Sequence, residues 1–238
     1  MHVDLGNYFM PLGPGSDTVN EFMKQSLDFL PIQVMNLGAE DLLLWKDLSQ
    51  SKFKTTAIIS TNLTPRDKSL PTPRRYAVVE VPGQQLGLKK NIRLGFLGLV
   101  NPIQLKPNSP FTAQDPAEAV AKIKPEVLKK ADYLIVLAEV PKSVAIRLAQ
   151  NNPEIYAIMM VERSVIEHTP EQVNNAVLVW SMERGRHLGE LVFELDQNGS
   201  ISVFKPQKVV LDSTIPEDQA LLKRQNEIKA QVPAGAGH

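Results

Sequence analysis

Tyr133-Leu134-Ile135-Val136-Leu137-Ala138 is a continuous apolar run, Ile155 to Val161 is a second, and a helix near Lys142 to Gln150 separates them. A strand that is apolar on both faces must be covered on both sides, which is how parallel strands joined by helices are buried. The stretch therefore reads as strand, helix, strand in a buried α/β sheet. Upstream, Asp115-Pro116 opens a helix with a capping aspartate and proline at the first helical position, backed by Ala119, Val120, Ile123, Val127 and Leu128. Pro125 is expected to kink or divide that helix, because it lacks an N–H and crowds the preceding turn.

Further out, Ile92 to Leu99, Tyr76 to Val81 and Ala57 to Ser60 are strand-like, β-branched or alternating, and bounded by Pro, Gly and Asn. The loop from Thr61 to Arg75 is long and holds three prolines. Near the start, Ser16 or Asp17 can cap a helix over residues 17–29, followed by a strand at Ile32 to Leu37 and a helical turn from Asp41 to Leu48. Gly13-Pro14-Gly15 reads as a plain turn before that helix. Downstream the pattern alternates more, at Ala176 to Trp180, Leu188 to Leu195 and Ser200 to Phe204, with Asn198-Gly199 as a hairpin turn. Ile215 to Gln231 reads as one polar helix starting near Pro216, and Pro233 to His238 as linker. The expected division is a domain over 1–212 and a C-terminal helix and linker over 213–238.

Composition excludes several function classes. Lys plus Arg and Asp plus Glu both number 26, so no net field favours nucleic acid or an anionic membrane. The longest apolar runs are strand-length, far short of a bilayer span, so no membrane span is expected. Zero cysteines remove disulfides, thiolate metal sites and cysteine nucleophiles. No secretory signal is legible at the N-terminus of the sequence. Phosphate-loop fingerprints are missing too, since Gly95-Phe96-Leu97-Gly98 lies inside a strand.

Four segments at strand ends carry a more specific pattern: Val3-Asp4-Leu5-Gly6-Asn7, Asn36-Leu37-Gly38-Ala39-Glu40-Asp41, Val136-Leu137-Ala138-Glu139 and Ile158 to Ser164. In order and spacing they resemble the calcineurin-like metallophosphoesterases, in the N-terminal domain of the bacterial 5'-nucleotidase group, which reads LDAGD, LGNHEFD, a strand ending in SH, and IIGGHSH. Ser60-Thr61-Asn62-Leu63 is similar to its SANL, Ile92 to Leu99 to its KIGFIGLT, Asp115 to Ala119 to its DPVEAA, and Gly185 to Gly189 to its GRYLG. The resemblance implies an α/β four-layer sandwich, two facing mixed β-sheets flanked by helices, with a dinuclear metal centre at the strand ends that activates water against a phosphate ester. The family's opening Asp-x-His strand and its C-terminal substrate domain have no counterpart in residues 1–238.

The resemblance also shows which ligand slots have changed. The bridging aspartate falls on Asn7, the asparagine ligand on Ala39, the catalytic histidine on Glu40, the next histidine ligand on Glu139, and the last two on Glu162 and Ser164. The close-approach glycines of the last loop are Met160 and Val161, whose bulk is expected to fill space. Taken singly, each glutamate is a solvated strand-end carboxylate. Taken together, Glu40, Glu139 and Glu162 are candidates for a weak oxygen-rich cation site that would take calcium, magnesium or manganese, with Arg163 and Lys142 available to relieve repulsion. The four histidines read as structural or surface residues, and Asp4 matches a non-ligating position.

The expected function is a catalytically inactive 5'-nucleotidase-like domain retained for protein binding or assembly, with no cofactor and a protein partner. Met159, Met160, Val161 and Trp45 are expected to supply its apolar contact area. The competing expectation is a metal-dependent phosphoesterase that uses the carboxylate-rich site. By resemblance the compartment is periplasmic or otherwise extracytoplasmic.

Overall fold

Leu134, Val136 and Ala138 belong to one apolar cluster and Ile135 and Leu137 to another, the two-residue period of a strand with both faces covered. In the computed structural model, which describes residues 1–161, 169–181, 187–196 and 200–230, this alternation recurs strand after strand and defines the layers. The chain opens with β1 (His2–Asp4), α1 (Ser16–Ser26), β2 (Ile32–Asn36), a 3-10 turn (Asp41–Leu44) running into α2 (Trp45–Gln50), and β3 (Ala57–Ile59). It continues through β4 (Leu63–Pro65), β5 (Tyr76–Val81), β6 (Ile92–Val100), β7 (Phe111–Ala113), α3 (Pro116–Val127), β8 (Tyr133–Glu139), α4 (Lys142–Asn151) and β9 (Ile155–Val161). The last elements are β10 (Glu171–Val173), β11 (Ala176–Ser181), β12 (His187–Leu195), β13 (Ile201–Val210) and α5 (Gln219–Lys229).

Strands β1, β2 and β3 form a parallel three-stranded sheet in that order. A six-stranded mixed sheet runs β10-β11-β9-β8-β6-β5, with parallel pairing from β11 through β6 and antiparallel strands at both margins. Hairpin β12–β13 and the short pair β4–β7 stand as two-stranded sheets. Three apolar clusters fill the gaps between layers. Leu27, Met35, Trp45, Leu48 and Ile58 lie between the first helices and the small sheet. Val34, Ile59, Phe96 and Leu137 lie between the two sheets. Val120, Ile123, Leu134, Val136 and Leu148 lie between the large sheet and α3 and α4. Helix, sheet, sheet, helix is the expected four-layer sandwich.

Several local expectations shift. Helix α1 is capped by Gly15 at φ 77, not by Ser16 or Asp17. The left-handed backbone there suits glycine, while the Ser16 hydroxyl turns back to the Gly13 carbonyl at 2.7 Å. Pro125 does not divide α3, because it falls in the last turn before Val127, where the single lost bond is near the helix end. The C-terminal helix begins at Gln219 rather than near Pro216, since Asp218 accepts from the Ala220 and Leu221 amides and sets the cap. Its Arg224 reaches Gln25 Oε1 of α1 at 2.5 Å, seating the tail on the first helical layer. Asn198-Gly199 lies outside the described residues, although Leu195 pairs antiparallel with Ile201 on either side of it.

Candidate functional site

Parallel strands deliver their C-terminal ends to one edge, and loops leaving neighbouring ends must meet there. After β1 the backbone turns through Gly6 at φ 99 and Asn7 at φ 57. Gly38, in the loop after β2, packs so closely that a Cβ there would lie 2.3 Å from Asn7 N. Gly38→Ala is accordingly expected to cost about 2 kcal/mol, since backbone rather than a flexible side chain is in the way. Thermal denaturation checks this, and an unchanged midpoint would contradict the packing.

Asp41 joins the two loops. It is completely buried, and its Oδ2 accepts from Asn7 N at 2.8 Å and Gly38 N at 2.9 Å while Oδ1 accepts from Phe9 N at 3.1 Å. Burial pushes its carboxyl up to about 7, against the downward pull of those three donors. Burial likewise pushes Asp4 up to about 6, with the Gly6 N–H pulling the other way. Asn7 Oδ1 accepts from Glu40 N at 2.9 Å, and Glu139 Oε2 accepts from Ala39 N at 2.9 Å. Glu139 is 4% exposed at the end of β8, so it is not the solvated carboxylate its position in the sequence suggests. Asn36 Nδ2 ties the sheets together by donating to Leu5 O and Leu99 O.

Asn7, Ala39, Glu40 and Glu139 are thus brought together, whereas Glu162, Ser164 and Arg163 lie outside the described residues. Lys142 serves elsewhere, pairing with Glu171 at 2.5 Å over the Trp180 ring. Sequence reading missed the role of Asp41. Its signal was a carboxylate three residues after a loop glycine, at the start of a helical turn, where it can collect loose backbone N–H groups.

Among the described residues, Asn7, Ala39 and Glu139 do not fit a dinuclear metal centre. Asn7 spends its carbonyl oxygen on Glu40 N, and that bond fixes the amide's orientation. The atom left over is Nδ2, which is buried without a hydrogen-bond partner. A donor offers a cation nothing, and Ala39 has no ligating atom. One Glu139 oxygen is also committed to a backbone amide. Among the described residues no group of three His, Cys, Asp or Glu side chains is placed to hold a metal.

Comparison with solved structures gives the fold its class. A 5'-nucleotidase precursor from Thermus thermophilus matches with TM-score 0.78 at 20% identity, over 96% of this chain and 49% of its own. The sulfate thiohydrolase SoxB from Thermus thermophilus matches at TM-score 0.78 and 15% identity, over 96% and 42%. The calcineurin-like phosphoesterase YfkN from Bacillus subtilis matches at 0.70 and 17%, over 96% and 84%. The fold is that of the N-terminal domain of calcineurin-like metallophosphoesterases, as the four sequence segments suggested. The chain spans about half the length of the first two of these proteins. No family profile and no curated protein matches the sequence.

Proposed function

We propose that this chain is a catalytically inactive 5'-nucleotidase-like metallophosphoesterase domain retained for protein binding or assembly in a periplasmic or otherwise extracytoplasmic setting, with residues 1–212 as the domain and 213–238 as its tail. The observation that supports this reading is the amide of Asn7, whose carbonyl accepts from the Glu40 backbone N–H and whose donor nitrogen is buried without a hydrogen-bond partner. Water activation by paired metals needs a shell of anionic and imidazole ligands held open for them. Asn7, Ala39 and Glu139 support a different use, since two of them bond to backbone and the third is a methyl group.

Two of the four residues expected to supply partner contact are enclosed. Trp45 is 5% exposed, donating Nε1–H to Pro71 O, and Met160 is 1% exposed in the helix-side core. Neither supplies contact area. Only Met159 and Val161 of that group are partly exposed.

One observation favours the second reading, a metal-dependent phosphoesterase using an altered carboxylate-rich site: Glu139 is buried beside the loop that carries Glu40. Both readings meet in one assay. The purified chain, incubated with manganese, zinc or cobalt, is expected to leave a generic aryl phosphate intact and to hold less than one metal ion per chain by elemental analysis. Metal-dependent turnover would overturn the inactive-domain reading and install the second.

A further inference from the structure

Strand β5 forms one margin of the six-stranded sheet, and its backbone orientation follows from that of its neighbour β6. Arg93 of β6 turns both backbone groups toward β8, its N–H donating to Asp132 Oδ2 and its C=O accepting from Asp132 N, each at 2.8 Å. These groups alternate sides along a strand, so Leu94 and Phe96 turn toward β5 and bond their cross-strand partners Val79 and Ala77. Tyr76, Val78 and Glu80 therefore aim their N–H and C=O groups out of the margin. Among the described residues those groups meet no partner.

Exposed edges are ordinarily guarded by proline, lysine, a bulge or short length. The opposite margin, β10, has three residues. On the β5 side the small sheet is closed where Arg74 bridges Ile59 of β3. Strand β5 has none of these guards. It runs for six residues, Tyr76-Ala77-Val78-Val79-Glu80-Val81, without proline or lysine, and its register with β6 holds without a shift. Val78, at its middle, is 36% exposed.

We propose that β5 is a self-association edge, on which a second copy of this chain lays its own β5 antiparallel about a twofold axis at Val78, joining the two six-stranded sheets into one. Self-complementarity is what a twofold interface requires, and the outward residues supply it. Centred on Val78, Tyr76 meets Glu80 of the second copy, Val78 meets its own counterpart, and about six backbone hydrogen bonds form. Moving the axis to Ala77 or Val79 would call on Arg74, whose carbonyl already accepts from Ser60 N, or on Pro82, which has no N–H. The charges match in the same register. Lys130 donates to the Tyr76 hydroxyl and lies over its ring, so the Glu80 carboxylate comes up against a cation across the axis, while one of its oxygens stays on Asn91 Nδ2. The inference rests on the reading of the domain as a module for binding or assembly and gives that module an interface.

The test uses the full chain, whose lack of cysteine makes a single introduced thiol unambiguous. Val78→Cys is expected to cross-link into a covalent dimer under mild oxidation, because hydrogen-bonded antiparallel pairs hold their Cα atoms about 5.5 Å apart, within disulfide reach. The control is Leu188→Cys, at a position 49% exposed on the hairpin that packs on β11, across the sheet from β5, and it is expected to stay single-chain. In sedimentation the unaltered chain should approach twice the single-chain mass as its concentration rises. Val78→Lys sets like charges face to face at the axis and should weaken the dimer about tenfold. Single-chain mass at every concentration would overturn the proposal, as would a dimer that Val78→Lys leaves intact or cross-linking of Val78→Cys no faster than the control. Aryl phosphate turnover, measured on the same samples, reports on the inactive-domain reading separately: a dimer that hydrolyses keeps the edge and removes that reading, and an inert single chain removes the edge alone.

Discussion

Asp41→Ala should lose about 3 kcal/mol of stability at pH 6 in urea titration. The carboxyl group accepts from three backbone N–H groups, those of Asn7, Phe9 and Gly38, and alanine leaves all three without an acceptor in a buried place. An unsatisfied buried donor costs about 1–3 kcal/mol, and water entering the space left by the side chain offsets part of the sum. What remains is large against a total stability of about 5–15 kcal/mol. A loss under about 1 kcal/mol would mean that Asp41 is not what holds the two loops together.

The same side chain gives the protein a pH dependence. Asp41 rises from its usual 3.8 to about 7 and Asp4 from 3.8 to about 6, both chiefly through burial. A carboxyl with a raised folded pKa keeps its proton in the folded chain where the unfolded chain has released it. Stability is then fully present below about pH 4 as far as these two groups are concerned, and it falls as pH rises toward 7. Asp41→Asn should flatten that fall, and the loss from Asp41→Ala should be larger at pH 5 than at pH 8. A stability curve that rises over the same window would show that the three backbone donors outweigh burial.

Much of this was legible in the sequence, for stated physical reasons. The apolar runs at Tyr133 and Ile155 fixed the central strands, because only strands covered on both faces lack polar positions. Three of the four strand-end segments meet at one sheet edge, because loops after parallel strands converge. What stayed hidden depends on distance along the chain. Glu139 looks solvated in sequence, and only the approach of Ala39, one hundred residues away, buries it and occupies its oxygen. Trp45 and Met160 looked like surface for a partner, yet helix and sheet packing enclose both. The orientation of the Asn7 amide turns on a single bond to Glu40 N, which no composition or spacing encodes.

Phe96→Ala should cost about 4 kcal/mol, while Phe204→Ala, the same change within the same apolar cluster, should cost about 1 kcal/mol. Phe96 is fully enclosed on β6 between the two sheets, so truncation removes a whole ring from a close-packed interior and leaves a cavity. Phe204 sits on the hairpin, edge-on to Phe193 with ring centroids 5.3 Å apart, and is only partly buried. Part of its surface stays in water in the chain alone, so truncation forfeits less. The difference measures how far the sheet-to-sheet core is covered at each end. Equal costs from chemical denaturation would place Phe204 in a closed core.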